Sequence, residues 1–164
     1  MYKSIGGRMF ENDNLDQLEW LGRLLGRLHK SSGTTTFQHR ATINFELELT
    51  QSRQELERSN FIPDYIKSTF FHDLDMLIDE VMPLTKQEFE IIRLHGDCHA
   101  GNILWQSHGG QDEAILVDLD DCFNGPAIQD LWMMLNGDRQ QQMLQLDTLV
   151  TAYEEFSDFK TSEL

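Results

Sequence analysis

The stretch His95-Gly96-Asp97-Cys98-His99-Ala100-Gly101-Asn102 sets two imidazoles, a carboxylate and a carboxamide in one loop with two glycines. Such groups orient hydroxyls, move protons and hold cations, and packing alone rarely calls for them at this density. Sixteen residues after Asn102 come Asp118, Asp120 and Asp121, directly behind the apolar run Ile115-Leu116-Val117. A strand ending there delivers Asp118 to the mouth of a cleft. Neighbouring carboxylates repel one another unless a cation lies between them. Hard oxygen ligands beside an amide oxygen suit Mg²⁺, which prefers one or two carboxylates plus substrate phosphates to an all-protein cage. Some members of the set have plainer readings. Asp121 reads as a solvated turn carboxylate, His99 equally as a residue that shapes the loop, and Cys98 as a small buried thiol rather than a redox switch.

These residues need elements to position them. Asn14 with Gln17 has the pattern of a capping box, and Leu15, Leu18, Leu21, Leu24, Leu25 and Leu28 follow at helical spacing, predicting an amphipathic helix that stops before Gly33. Residues 31–36 form a polar breaker. Phe45, Leu47 and Leu49 alternate as in a strand, while residues 51–58 have helix-favouring composition; the balance leans to helix. Pro63 is placed as a first helical residue, and Ile66, Phe70, Leu74, Leu77, Ile78 and Val81 trace one apolar face. Beyond Pro83 the pattern changes to short apolar runs, Ile91-Ile92, Ile103-Leu104 and Ile115-Leu116-Val117, which read as brief strands carrying loops. Residues 106–113, with Gly109-Gly110, read as a hairpin turn. Gly125-Pro126 opens a helix through Asp130 and Leu135, and Asp138 with Gln141 caps another that carries Leu146, Leu149, Val150, Tyr153 and Phe156. Trp132-Met133-Met134 is expected in the core.

Asp97 and Asn102 have the D-x-x-x-x-N spacing of a kinase catalytic loop, where the Asp orients or deprotonates the acceptor hydroxyl and the Asn binds metal. That loop, the segment Val117-Asp118-Leu119-Asp120-Asp121 and the downstream Gly125-Pro126-Ala127-Ile128-Gln129-Asp130-Leu131 together resemble the aminoglycoside phosphotransferase and choline kinase family. Gly6-Gly7-Arg8-Met9-Phe10-Glu11 and Leu21-Gly22-Arg23-Leu24-Leu25-Gly26-Arg27-Leu28-His29 extend the likeness along nearly the whole chain. The resemblance implies an α+β, mainly α fold: a protein-kinase-like C-terminal lobe, residues 1–164 as a single unit, with a small β element carrying the catalytic and metal loops. It implies Asp97 as the catalytic carboxylate, Asn102 and Asp118 as holders of Mg²⁺ on the phosphates of ATP, and Asp120 as a helper of the metal directly or through water. Leu104 would lie under the adenine, His95 would brace the catalytic loop, and Asp130 would hydrogen-bond that loop's backbone. The acceptor implied is a protein Ser/Thr hydroxyl in a stress-response branch of the family, with a small-molecule hydroxyl as the alternative. Kinases of this class carry a phosphate-covering glycine loop and a phosphate-binding Lys in an N-terminal lobe. This chain has no Gly-x-Gly-x-x-Gly and no strand-borne Lys before Gly6, so Met1 is expected near the interlobe hinge, with the N-terminal lobe absent.

The 164 residues suit one core, with 40% apolar and 25% charged residues and 3 prolines. Asp and Glu number 28 against 13 Lys and Arg, a formal charge of −15, which repels nucleic-acid backbones and anionic membranes. Two cysteines without a Cys-x-x-Cys pairing, no apolar run near the about 20 residues that span a bilayer, and no signal-peptide core predict a cytoplasmic protein with reduced thiols. Two further functions compete with the kinase. Gly96-Asp97-Cys98-His99 has the Gly-Asp-x-His form of binuclear phosphoesterases, but the remaining histidines, His29, His39, His72, His95 and His108, show no upstream Asp-x-His or Gly-Asn-His segment. A noncatalytic interaction module would bind a partner, or a second copy, through the face that the missing lobe normally covers.

Overall fold

The computed structural model describes residues 6–33, 35–108 and 111–164. They form two compact units, Met1–Thr42 with Phe89–Leu164, and Ile43–Glu88. No composition break marks either boundary.

The larger unit is organised around two helices. After the short strand β1 (Arg8–Met9), α1 (Leu15–Ser32) begins where the Asn14 side chain accepts from the backbone N–H of Asp16 and Gln17. The reciprocal half of the expected capping box does not form, because Gln17 Oε1 instead accepts from Glu11 N–H at 2.9 Å. Leu18, Leu21 and Leu25 are fully buried on one face of α1 against Leu149 and Tyr153 of the last helix. Burial of each leucine stabilises the fold by about 2 kcal/mol. Gly22 and Gly26 allow the two backbones to approach, since a Cβ at these positions would fall 2.5 Å from Leu149 O and 2.4 Å from Tyr153 O.

Along the chain between these two helices come the strands of two small sheets. β2 (Ile92–Leu94) pairs antiparallel with β5 (Phe123–Gly125), and β3 (Ile103–His108) is flanked by β1 and β4 (Gln111–Leu116). Ile103 lies opposite Leu116 and Leu104 opposite both Ile115 and Met9. The expected hairpin thus has its strands paired, His108 opposite Gln111, while the Gly109-Gly110 turn lies outside the described residues. Trp105 is buried with its ring edge-on to Phe10.

A short helix α4 (Ile128–Trp132) follows Gly125-Pro126, and α5 (Arg139–Tyr153) starts from a complete Asp138–Gln141 capping box. The expected Trp132-Met133-Met134 core is only partly realised. Met134 is fully buried but Trp132 is 50% exposed, because α4 ends at that residue and its one buried side holds Asp130 and Leu131.

The smaller unit holds α2 (Phe45–Arg58), α3 (Asp64–Val81) and a 3₁₀ turn over Leu84–Lys86. Residues 45–49 are helical despite their alternation, because Asn44 caps them by accepting from Leu47 N–H at 3.0 Å and the segment is rich in helix formers. Pro63 stands one position ahead of the first helical residue, as the cap of α3. The expected apolar face of α3 is realised in part: Phe70, Leu74, Ile78 and Val81 are half-buried, but the face is turned toward Phe71, which is buried with the Arg53 guanidinium 4.9 Å above its ring, and Ile66 and Leu77 at its edge are exposed. Arg53 also makes a two-pronged bond to Asp75, which holds that carboxyl below its ordinary range.

Candidate active site

Strand β2 delivers the polar loop and β3 carries the chain away from it, so residues 95–102 span the gap between the two sheets. The loop's shape comes from its own side chains. His99 Nδ1 accepts from Gly101 N–H at 2.9 Å, closing a 3₁₀ turn over Ala100–Asn102. Asn102, 8% exposed, turns its amide nitrogen to the carbonyl of Asp97 at 2.9 Å and to the Asp97 carboxylate at 3.0 Å. With the nitrogen committed to Asp97, the carbonyl oxygen of Asn102 is the atom left to face a cation. The Asp97 carboxylate is one-third exposed and lies 3.4 Å from His99 Nε2. It is therefore reachable from solvent yet held at one edge.

Behind the loop sits a buried polar relay. Asp130, fully buried at the start of α4, accepts from His95 N–H and Gly96 N–H at 2.8 Å each and from His29 Nε2 at 3.0 Å. His29, on the buried stripe of α1, bonds through its other ring nitrogen to Tyr153 Oη at 3.1 Å. Both oxygens of the carboxylate thus accept hydrogen bonds, three in all, as a buried charge requires. Burial pushes the Tyr153 hydroxyl up to about 12, so it stays protonated and serves as a donor. Gly96 adopts φ +87°, and a Cβ there would fall 2.4 Å from Asp121 O. Only glycine permits both the left-handed turn and this approach.

His95 Nε2 donates to Val117 O at 2.9 Å, and Val117 N–H donates to Asn102 O at 2.9 Å. These two bonds tie the backbone of Val117, the residue before Asp118, to His95 and Asn102. Asp118 is exposed and takes φ +63°, the one described non-glycine residue with positive φ. Asp is among the residues that tolerate this conformation, at a cost on the order of 1 kcal/mol. Asp120 and Asp121 lie exposed in the turn that follows, while Leu104 is half-buried in β3. Cys98 is fully buried, and burial pushes its thiol well up, so it is not a reactive thiolate.

Among the described residues no three His, Cys, Asp or Glu side chains converge as a metal cage. What the loop and the turn after β4 offer is an amide oxygen on Asn102 and a carboxylate on Asp118. That partial set of hard oxygens fits Mg²⁺ shared with phosphates. No local motif marks His29, nor Asn124, a fully buried amide in β5. The signal available for His29 was a polar residue in line with Leu18, Leu21 and Leu25 on an otherwise apolar stripe.

Two small sheets among helices, with an Asp–Asn loop backed by a buried Asp, make the fold that of a kinase-like C-terminal lobe. Residues 2–164 match the phosphotransferase enzyme family, and the chain belongs to it. It is 49% identical over 164 residues to stress response kinase A of Shigella flexneri, and 48% identical to the serine/threonine protein kinase RdoA of Salmonella typhimurium. Both alignments take in all of this chain and 48% of the relative, so the chain spans about half the length of these proteins. Among solved structures, a microcompartment-associated aminopropanol kinase aligns over 98% of this chain and 52% of its own, with a TM-score of 0.65 at 19% identity. A spectinomycin phosphotransferase in complex with ADP and spectinomycin aligns over 98% of this chain and 54% of its own, with a TM-score of 0.51 at 15% identity. At such identities the structures speak for the fold alone. No described helix is long and apolar enough to cross a membrane.

Proposed function

We propose that this chain is the catalytic-loop and metal-binding lobe of an ATP-dependent kinase that moves the γ-phosphate to a hydroxyl acceptor. The observation that carries the reading is the Asp97–Asn102 hydrogen-bonded pair, with Asp118 one residue beyond the Val117–Asn102 backbone bond. Asp97, held by the Asn102 amide and reachable from solvent, orients the acceptor hydroxyl and takes its proton as the oxygen attacks the γ-phosphorus and ADP leaves. Asn102 and Asp118 would hold Mg²⁺, with Asp120 close enough in sequence to support it. The ion, when bound, neutralises charge on the β- and γ-phosphates. Asp130 and His95 position the loop, the first through Gly96 and His95 N–H, the second through Val117 O. Leu104, on the strand that leaves the loop, serves as an apolar seat for the adenine. Phosphoryl transfer asks for positioning and charge neutralisation more than covalent help, and this arrangement supplies both.

Protein Ser/Thr is the acceptor favoured by the stress response kinase and serine/threonine kinase relatives at nearly half identity. A small hydroxyl compound is the second reading, favoured by the fold shared with aminopropanol and spectinomycin kinases. The test uses the full-length protein with MgATP, assaying autophosphorylation and transfer to a protein acceptor. Asp97→Asn is expected to abolish transfer while leaving ATP binding intact, and Asp118→Asn to abolish the Mg²⁺-dependent part of ATP binding measured by calorimetry. Transfer that survives Asp97→Asn refutes the assignment, and transfer confined to small hydroxyl compounds moves the acceptor to the second reading.

A further inference from the structure

Asp118 holds an unfavourable backbone conformation, so the turn around it has to be tied on both sides. On the N-terminal side the ties are the Val117 bonds to Asn102 and His95. On the C-terminal side, Cys122 N–H reaches Leu119 O at 3.5 Å, a weak closure for a four-residue turn. A tie from elsewhere in the chain is the Arg40 guanidinium, which donates to Asp120 O.

Arg40 is exposed, and its place is set by another residue. Asn124, 1% exposed, accepts from Phe37 N–H at 2.7 Å through Oδ1. Its amide nitrogen donates to Phe37 O at 3.1 Å, Ala41 O at 3.3 Å and Thr42 Oγ1 at 3.1 Å. The Asn124 backbone N–H adds a bond to Ala41 O at 2.8 Å. One buried side chain therefore closes residues 37–42 into a loop pinned to β5, with Arg40 at its tip. The Arg93 guanidinium, 5.1 Å above the Phe37 ring, holds the same loop from the neighbouring strand.

We infer that Asn124 and Arg40 are positioning residues for Asp118: Asn124 pins the 37–42 loop, and Arg40 clamps the carbonyl of Asp120 so that Asp118 keeps its left-handed backbone. The inference rests on the reading of Asp118 as a Mg²⁺ ligand, and its test separates the two. By charge alone, removing Arg40 beside Asp118, Asp120 and Asp121 makes the turn more negative and tightens cation binding. A clamp predicts the opposite sign. Loss of a residue that orients a metal ligand typically weakens metal binding about 10–100-fold.

The experiment compares Arg40→Met and Asn124→Asp with wild type in the full-length protein. Asn124→Asp keeps the acceptor for Phe37 N–H but turns a carboxylate oxygen toward two carbonyls, and it too adds negative charge. Calorimetry reads ATP affinity in saturating Mg²⁺ and in chelator, and hydrogen exchange reads the amides of residues 117–122 in the metal-free protein. Both variants are expected to weaken MgATP binding about tenfold, to leave metal-free ATP binding unchanged and to speed exchange in that turn. Unchanged or tighter MgATP binding with unchanged exchange overturns the clamp. Asp118→Asn is the separate control. If it leaves the Mg²⁺ dependence intact, the metal reading fails, and exchange in Arg40→Met still decides whether the turn is clamped.

Discussion

Replacing Asp130 by Ala removes a fully buried carboxylate that accepts from three donors, His95 N–H, Gly96 N–H and His29 Nε2. None of these donors has water at hand, and each hydrogen bond to a buried charge contributes about 1.5–3 kcal/mol. The contributions are not additive, because the emptied space admits partial relaxation, and breaking a buried charged cluster costs about 3–5 kcal/mol in all. Total stabilities lie at about 5–15 kcal/mol, so Asp130→Ala is expected to leave a marginal protein. Asp130→Asn discriminates further. With its oxygen in the place shared by His95 N–H and His29, its nitrogen faces Gly96 N–H, so one bond is lost and a donor meets a donor, at about 2 kcal/mol. Urea unfolding followed by tryptophan fluorescence measures both, since Trp105 is buried in the same core. A double-mutant cycle with His29→Ala should return a coupling of about 1–3 kcal/mol between two residues 101 positions apart. The reasoning is refuted if Asp130→Ala costs under about 1 kcal/mol or if the cycle shows no coupling. Either result would mean that the carboxylate is not what holds His95 and Gly96 in place.

Gly96→Ala should destabilise the protein by more than the roughly 1–2 kcal/mol of a left-handed alanine, because the new methyl also meets Asp121 O; a loss within that range would show that the turn yields freely. Gly26→Ala should separate α1 from α5 and lower the unfolding midpoint by several degrees, about 3 kcal/mol for overpacking at a rigid backbone, and calorimetric melting checks it. Glu163 bonds Ile128 N–H, yet partial burial raises its carboxyl above the ordinary value. The folded protein therefore takes up this proton more readily than the unfolded chain, and the penalty is present above the folded pKa and relieved below the unfolded one. Glu163→Gln should raise the melting temperature near about pH 7 and change it little near about pH 3.5, and a lower melting temperature at the higher pH would refute the sign.

Much of the scaffold was legible because its signals are local. The leucine stripe of α1, the Asn14 cap, the Asp138–Gln141 capping box and the short apolar runs of β2, β3 and β4 each depend on residues within a few positions of one another. Local signals also misled where a second partner decided the outcome. Gln17 was drawn to Glu11 rather than back to Asn14, and the buried face of α3 is turned toward Phe71, which leaves Ile66 and Leu77 of the expected stripe exposed. Trp132 sits in an apolar run yet faces outward because α4 is too short to bury more than one side.

The sequence by itself marked the polar loop at residues 95–102, the carboxylates behind Val117 and the helices that flank them, because types and spacings along the chain are sufficient for those. Only the tertiary structure decided which groups complete the loop: His29 on Asp130 across 101 positions, Asn124 on residues 37–42, Arg40 on Asp120. The physical reason is the cost of burying polar groups. An imidazole, a carboxylate or an amide in the core must find its partner wherever the fold puts one, and no periodicity in the chain records where that is.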